Sequence, residues 1–102
     1  MKLEFPHSLP KAEARARLEA LGEYLTNRHH IDVTWNGDRA TFSGRFKKVV
    51  KIRGELSLGD GIARFEGDDP GFAWRGQAKK YIQRKLNEYL DANTPLDALP
   101  RG

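Results

Sequence analysis

Cysteine is absent from this chain of 102 residues. The protein therefore has no disulfide bond, no thiolate metal ligand and no cysteine nucleophile. Long apolar runs are also missing, since no stretch approaches the roughly 18 residues that span a bilayer. The N-terminal residues 1–6 lack the apolar core of a signal peptide. From these absences we expect a cytoplasmic protein without a transmembrane segment.

Size and composition indicate one folded domain. Hydrophobic residues make up 38% of the chain and charged residues 31%, which is typical of a globular protein. A chain of this length supports one thin core, and we expect no deep substrate cavity beside it. We assign residues 1–92 to a single α+β domain. Residues 93–102, with Pro95 and Pro100 and no periodicity, are expected to form a flexible C-terminal tail.

A first amphipathic helix is predicted to follow an N-terminal leader. Ser8 is the expected N-cap, with Pro10 in the first turn. We expect the helix to end near residues 27–29 and Gly22 to allow close packing. The apolar stripe has helical spacing and consists of Ala14, Leu18, Leu21 and Leu25.

Alternating apolar residues predict four antiparallel strands in two hairpins. Asn36-Gly37 and Gly59-Asp60-Gly61 are the expected turns. Gly54 interrupts the apolar side of its strand, which indicates a close approach by a helix. The alternating apolar positions are Ile31, Val33, Trp35, Ala40, Phe42, Val50, Ile52, Leu56, Leu58, Ala63 and Phe65.

A second, basic helix is predicted to open at Asp69, with Pro70 at its first position. Its apolar stripe consists of Trp74, Ala78, Tyr81, Ile82, Leu86, Tyr89 and Leu90. Because both helices have one apolar stripe and the sheet has one apolar face, both helices should cover that face. The predicted fold is α+β in the order α-β-β-β-β-α, with a four-stranded antiparallel sheet and two helices packed on one side.

Basic side chains concentrate in two blocks and give the chain a net charge of +4. Such blocks can attract an anionic partner. The alternative interpretation is a solvated helix face and a strand edge protected by lysine. Together with Trp74, the candidate partner-binding residues are Arg45, Lys47, Lys48, Lys51, Arg53, Arg75, Lys79, Lys80 and Arg84.

Catalytic, cofactor-binding and metal-binding motifs are not recognisable in the sequence. His29 and His30 are adjacent at a helix end, point in different directions and make a poor metal site. His7 precedes the first helix, where its ring either bonds the backbone and sets the entry angle or lines a small site. We therefore predict a protein that is not an enzyme and that needs no cofactor.

The helix–strands–helix order broadly resembles a double-stranded RNA-binding domain, in which lysines of the last helix contact phosphate. Lys79 and Lys80 are the corresponding candidates, supported by the basic strand from Arg45 to Arg53. Two features depart from that pattern. Four strands are predicted where that fold has three, and the lysines lie two turns into the helix.

Several short motifs resemble the polyhydroxyalkanoic acid system family, small bacterial proteins encoded near genes for storage-polyester synthesis. The resemblance covers roughly residues 3–90. In this family a polar or acidic turn often follows the Ser-Gly step, whereas here Ser43-Gly44 leads into a basic stretch. The matching segments are Pro6-His7-Ser8-Leu9, Glu13-Ala14-Arg15-Ala16-Arg17, Trp35-Asn36-Gly37-Asp38 with Phe42, and Gly44-Arg45-Phe46.

The resemblance implies an accessory binding protein that acts at polyester granules or on their coat proteins. Phe46, Phe72, Trp74 and Tyr81 are candidate contacts for such a surface if they are exposed. Trp74 and Tyr81 have a competing interpretation as core residues. A nucleic-acid-binding module remains the alternative, and a homodimerisation domain that uses the bare face of the sheet is a third hypothesis.

Overall fold

A computed structural model describes residues 1–46 and 50–102. The element order is β-α-β-β-β-β-α, followed by a short 3₁₀ helix at Leu96–Ala98. The α+β class is confirmed, but the prediction of four strands in the order α-β-β-β-β-α was wrong, because the described residues form five. The elements are β1 (Lys2–Pro6), α1 (Lys11–His29), β2 (Asp32–Asn36), β3 (Arg39–Phe46), β4 (Val50–Gly59), β5 (Ile62–Gly67) and α2 (Arg75–Tyr89).

The additional strand is β1, an edge strand formed by the segment that the sequence presented as a leader. It pairs antiparallel with β5, which places Leu3 opposite Phe65 and Phe5 opposite Ala63. Pro6 ends the strand at the sheet edge, where its missing N–H is tolerated. Only Leu3 and Phe5 alternate before the proline, and the partner strand lies far along the chain. The local pattern was therefore too short to reveal a strand.

The antiparallel sheet has the strand order β1-β5-β4-β3-β2. Paired residues point to the same face, so the register places Leu3, Phe65, Leu56, Ala40 and Trp35 in one row across it. Along this apolar face α1 contacts β2 and β4, α2 contacts β1, and the two helices contact each other. Both helices therefore cover one face, as the sequence predicts.

The start of α1 differs from the prediction, whereas its end agrees with it. Pro10 is the N-cap residue, without a side-chain cap, and Ser8 lies outside the helix. The C-terminal end at His29 is confirmed. His30 follows in the left-handed conformation with φ 57°. The N–H groups of His30 and Ile31 donate to the carbonyls of Thr26 and Leu25 and close the helix end.

Both predicted hairpin turns are present, and Gly37 and Gly61 adopt positive φ angles of 61° and 70°. The expectation for Gly54 was wrong in one respect. A Cβ atom at Gly54 would lie 2.6 Å from Cζ of Phe65. The close approach is therefore made by an aromatic ring of the neighbouring strand, not by a helix.

The second helix begins later than predicted, at Arg75. The segment before it is a turn in which the Gly71 N–H donates to Oδ1 of Asp69 at 2.9 Å. Gly71 has φ 106°, which a right-handed helix does not accommodate. Asp69 and Pro70 therefore belong to the turn. Asp69 still reaches the helix through an ion pair with Arg75 at 2.5 Å.

Residues after α2 pack against α1, although the sequence indicates a flexible tail there. The Arg17 guanidinium is 3% exposed and donates to the carbonyls of Asp91 at 2.9 Å and Thr94 at 2.6 Å. Leu99 is 4% exposed. The Tyr89 hydroxyl donates to the carbonyl of Pro100. These contacts hold the described C-terminal residues on the same side of the domain as α1.

Candidate functional site

An apolar groove of about 480 Å³ lies between the sheet and the two helices. Phe42, Ile52, Leu56 and Phe65 form its floor and come from the three central strands. The volume lies within the range of small-molecule sites, which are commonly apolar with a few polar groups. The short chain length predicted one thin core without a deep cavity beside it.

The walls of the groove come from the two helices. Leu21 and Leu25 face it from α1, whereas Trp74, Tyr81 and Ile82 face it from α2 and the turn before it. Trp74, Tyr81 and Ile82 are only half-buried. The fully buried residues within α2 are Leu86 and Tyr89, which lie near its C-terminal end. The helix therefore rests on the sheet by its last turns and leaves a gap beneath its first ones.

A cation lies in the wall of the groove. The Lys85 side chain is only 14% exposed. Its Nζ lies 4.4 Å from the ring centroid of Tyr24 and 5.8 Å from that of Tyr81. Such contacts with aromatic faces stabilise an ammonium group. Glu88 adds an ion pair at 3.4 Å.

Two titratable rings beside this cation, those of Tyr81 and His29, have pKa values shifted toward their uncharged forms. Burial raises the pKa of Tyr81 to about 12. Burial, followed by the positive charge of Lys85, lowers the pKa of His29 below its usual value. The His29 ring packs edge-on against Tyr24 and Tyr81, with centroids 5.8 and 6.4 Å apart. Lys85 therefore supplies the charge in a surrounding of neutral aromatic rings.

Phe72 is a large hydrophobic residue exposed to solvent. It is 92% exposed, in the turn that leads into α2. Trp74 is half-buried two residues later and lines the groove. The turn therefore presents one aromatic side chain to solvent and another to the interior.

The structure places the candidate basic residues on opposite sides of the sheet. Arg45, Lys51 and Arg53 are exposed on the face away from the helices, because they alternate with residues that face inward. Lys79 and Lys80 are exposed on α2, on the other side of the sheet. Arg84 is also exposed, and its guanidinium carbon lies 5.4 Å from the ring centroid of Tyr81. Lys47, Lys48 and the side chain of Phe46 lie outside the described residues.

The bare face of the sheet is polar and carries both charges. Cross-strand ion pairs join Arg64 to Glu4 at 3.0 Å and Arg39 to Glu55 at 3.1 Å. A face of this kind is hydrated and lacks the apolar centre that stable protein interfaces bury. The homodimer hypothesis based on this face therefore gains no support from its chemistry.

His7 stabilises the entry to α1. Its ring Nδ1 accepts a hydrogen bond from the Leu9 N–H at 3.1 Å, and its backbone N–H donates to the carbonyl of Gly61 at 2.9 Å. Burial lowers the pKa of the imidazole. The ring therefore fixes the turn into α1, while the backbone of His7 bonds to the second hairpin, and the groove lies elsewhere.

The model of a known family matches residues 1–93, and its description is "putative polyhydroxyalkanoic acid system protein". The chain belongs to this family. No curated protein and no solved structure matches the chain. The resemblance inferred from the short sequence motifs is therefore confirmed at the level of the family.

The sequence did not lead us to predict the roles of two buried basic residues, Arg17 and Lys85. Arg17 follows Ala14 by three residues and precedes Leu21 by four, so helical spacing already places it beside the apolar stripe. Lys85 lies in the same way between Tyr81 and Tyr89. Both spacings are visible in the sequence, but a charged residue beside an apolar stripe is usually assigned to the solvent-exposed surface.

Within residues 1–46 and 50–102, no three histidine or acidic side chains come together in a way that could hold a metal ion. Over the same residues, no helix is long and apolar enough to cross a membrane. Among the described residues, the groove, the exposed turn around Phe72 and the basic surface of α2 are the candidate functional features.

Proposed function

We propose that this protein is a non-enzymatic binding protein of the polyhydroxyalkanoate storage system that attaches to the surface of polyester granules. The observation that carries this proposal is the 92% exposure of Phe72 at the start of a basic helix. Membership of the polyhydroxyalkanoic acid system family supplies the biological setting.

The physical argument rests on the chemistry of both surfaces. A granule presents apolar polyester beneath a charged coat of protein or lipid. An aromatic side chain can enter the apolar layer while neighbouring lysines interact with the charged one. Phe72, in the turn before α2, and the exposed Lys79 and Lys80 of α2 provide these two kinds of side chain.

The protonation states of the groove favour binding over acid–base chemistry. A phenol with a pKa of about 12, as at Tyr81, stays protonated at neutral pH and is a poor general base. Outside the groove lining, the pKa of Tyr89 is also raised to about 12, mainly by burial. Catalytic groups are usually shifted toward the working pH, whereas these two phenols are shifted away from it.

Co-sedimentation with polyhydroxybutyrate particles tests the proposal. The full chain is incubated with particles at low and at high salt, with duplex RNA and DNA as competitors. We expect retention at high salt and no effect of nucleic acid, because apolar contacts are not weakened by salt. Loss of particle binding with salt-sensitive binding to the duplexes would overturn the proposal and favour a nucleic-acid-binding module.

A matched pair of variants locates the contact. Phe72→Ser should lower particle retention severalfold, because it removes an exposed aromatic ring. Ala73→Ser changes an exposed neighbour in the same turn and should leave retention unchanged. Equal retention of the two variants would show that Phe72 does not contact the particle.

A further inference from the structure

The burial of Lys85 in the groove wall is the feature that the proposed granule contact does not explain. Its ammonium has three donors, and its ion pair with Glu88 measures 3.4 Å. Strong bonds between ammonium and carboxylate groups measure about 2.7–2.9 Å. The pairing is therefore long, and the Glu88 side chain is itself 41% exposed.

The surroundings of the ammonium favour an additional anion. A largely buried cation with incomplete hydrogen bonding is unfavourable. The rings of Tyr24 and Tyr81 contribute cation–π contacts but accept no strong hydrogen bond from the ammonium. A carboxylate in the groove would complete its coordination.

Charge and shape of the groove specify the ligand further. Lys80, Arg84 and Lys85 line it from α2, against the exposed Asp68. Lys51, Arg53 and Gln77 also line the groove, and the remaining lining is apolar or aromatic, with Leu56 in the floor and Ile82 in the wall. An elongated apolar chain with one negative end complements this arrangement, whereas a cationic amphiphile would be repelled.

We propose that the groove binds an aliphatic monocarboxylate, with its acyl chain between the sheet and α2 and its carboxylate on Lys85. This site adjoins the surface around Phe72 and shares Lys80 with it, but it does not include Phe72 and does not depend on granule attachment.

Calorimetric titration of the full chain with three ligands of equal chain length tests the charge requirement. Octanoate, octanol and octylammonium are used below their aggregation concentrations. We expect octanoate to bind about tenfold or more tightly than octanol, since a charge-assisted hydrogen bond is added. Octylammonium should bind most weakly. Equal binding of octanoate and octanol, or no saturable binding of octanoate, would overturn the proposal.

Two substitutions of lysine on the same helix test the role assigned to Lys85. Lys85→Met removes the ammonium and keeps an apolar side chain of similar length, so octanoate affinity should fall to that of octanol. Lys79→Met changes an exposed position of α2 and should leave octanoate affinity unchanged. Loss of affinity in both variants, or in neither, would contradict the assignment.

Binding can be located in the unaltered protein as well, which removes the dependence on variants that fold. Octanoate should shift the methyl resonances of Leu56 and Ile82 in nuclear magnetic resonance spectra and leave those of Leu3 unchanged. Ala78→Trp, which places a large ring in the groove, should abolish octanoate binding. Shifts outside the groove, or full binding by this variant, would show that the ligand sits elsewhere.

Granule attachment and ligand binding in the groove can be tested separately. Phe72→Ser should bind octanoate as the unaltered chain does, because Phe72 points to solvent. Lys85→Met should still sediment with polyester particles. If Phe72→Ser loses both activities together, the separate groove site is wrong.

Discussion

The two helices cover the same face of the sheet, but they are packed in different ways. In α1, buried residues occur along most of the helix, from Ala14 to Leu25. In α2, the buried residues are Leu86 and Tyr89, both in its C-terminal half. One helix completes the core, whereas the other is held at one end and forms the roof of a groove.

Arg17 explains how the second helix is held. Its guanidinium lies in the core side of α1 and donates to the carbonyl of Tyr89 at 3.3 Å, at the C-terminal end of α2. The partial negative charge of that helix end favours a cation there. The C-terminal turns of α2 are thereby connected to the most stable part of the domain, and the first turns remain available for ligand or surface contacts.

The largest expected effect is the loss of a core side chain from α1. Leu18 is 2% exposed, so Leu18→Ala should destabilise the protein by about 2–5 kcal/mol. Ile82→Ala, in the half-buried wall of the groove, should lower the free energy of unfolding by about 1 kcal/mol or less. Urea denaturation measures both values. Similar losses for the two variants would show that α2 is packed as tightly as α1.

Removing the connection between the helices should have the next largest effect. Arg17→Met leaves several carbonyl groups near the end of α2 without their donor and should cost about 2–3 kcal/mol. Arg28→Met, at an exposed position of the same helix, should change stability by about 0.5 kcal/mol or less. If Arg17→Met unfolds at the same urea concentration as the unaltered protein, the connection contributes nothing.

Glycine substitutions compare the packing of the helices more finely. A Cβ atom at Gly22 in α1 would lie 3.1 Å from Cγ1 of Val33, whereas one at Gly76 in α2 has no neighbour within 4 Å. Alanine favours a helix over glycine. Gly76→Ala should therefore stabilise the protein by about 0.5 kcal/mol, and Gly22→Ala should give no gain. A gain in melting temperature for Gly22→Ala would show that α1 has space against β2.

Alkaline pH should destabilise the protein through two phenols of α2. The pKa values of Tyr81 and Tyr89 rise from 10.0 to about 12 in the folded protein. Between pH 10 and pH 12 the unfolded chain loses these protons first, so the stability contributed by the neutral phenols is complete below pH 10 and falls as the pH rises. Tyr81→Phe should reduce this decline in urea midpoint. If the urea midpoint of Tyr81→Phe falls with pH as steeply as that of the unaltered protein, the Tyr81 phenol is in contact with solvent.

Local patterns determined most of the helices and strands. The period of two across residues 31–65 and the turns at Gly37 and Gly61 predicted two hairpins correctly, because these signals depend on neighbouring residues. The start of α2 was misplaced, since Asp69-Pro70 has the local chemistry of a helix start and the positive φ of Gly71 is not visible in a sequence. The strand β1 was missed because its hydrogen-bonding partner is distant along the chain.

The candidate site could be predicted from the sequence only in part. The stripe from Trp74 to Leu90 identified the face of α2 that meets the sheet, but it could not show that the first turns stand away from it. The two basic blocks are visible in the sequence as charged segments. The location of their described residues on opposite sides of the sheet depends on the strand register and on which face the helices cover.

The sequence by itself determined the family, the amphipathic elements and the apolar face of the sheet, because each is encoded in residue type and short-range spacing. Only the tertiary structure decided that β1 completes the sheet, that Arg17 holds the C-terminal residues, and that Lys85 is largely buried beside a groove. These features arise from contacts between distant segments. The spacing between packed surfaces is set by every side chain that separates them.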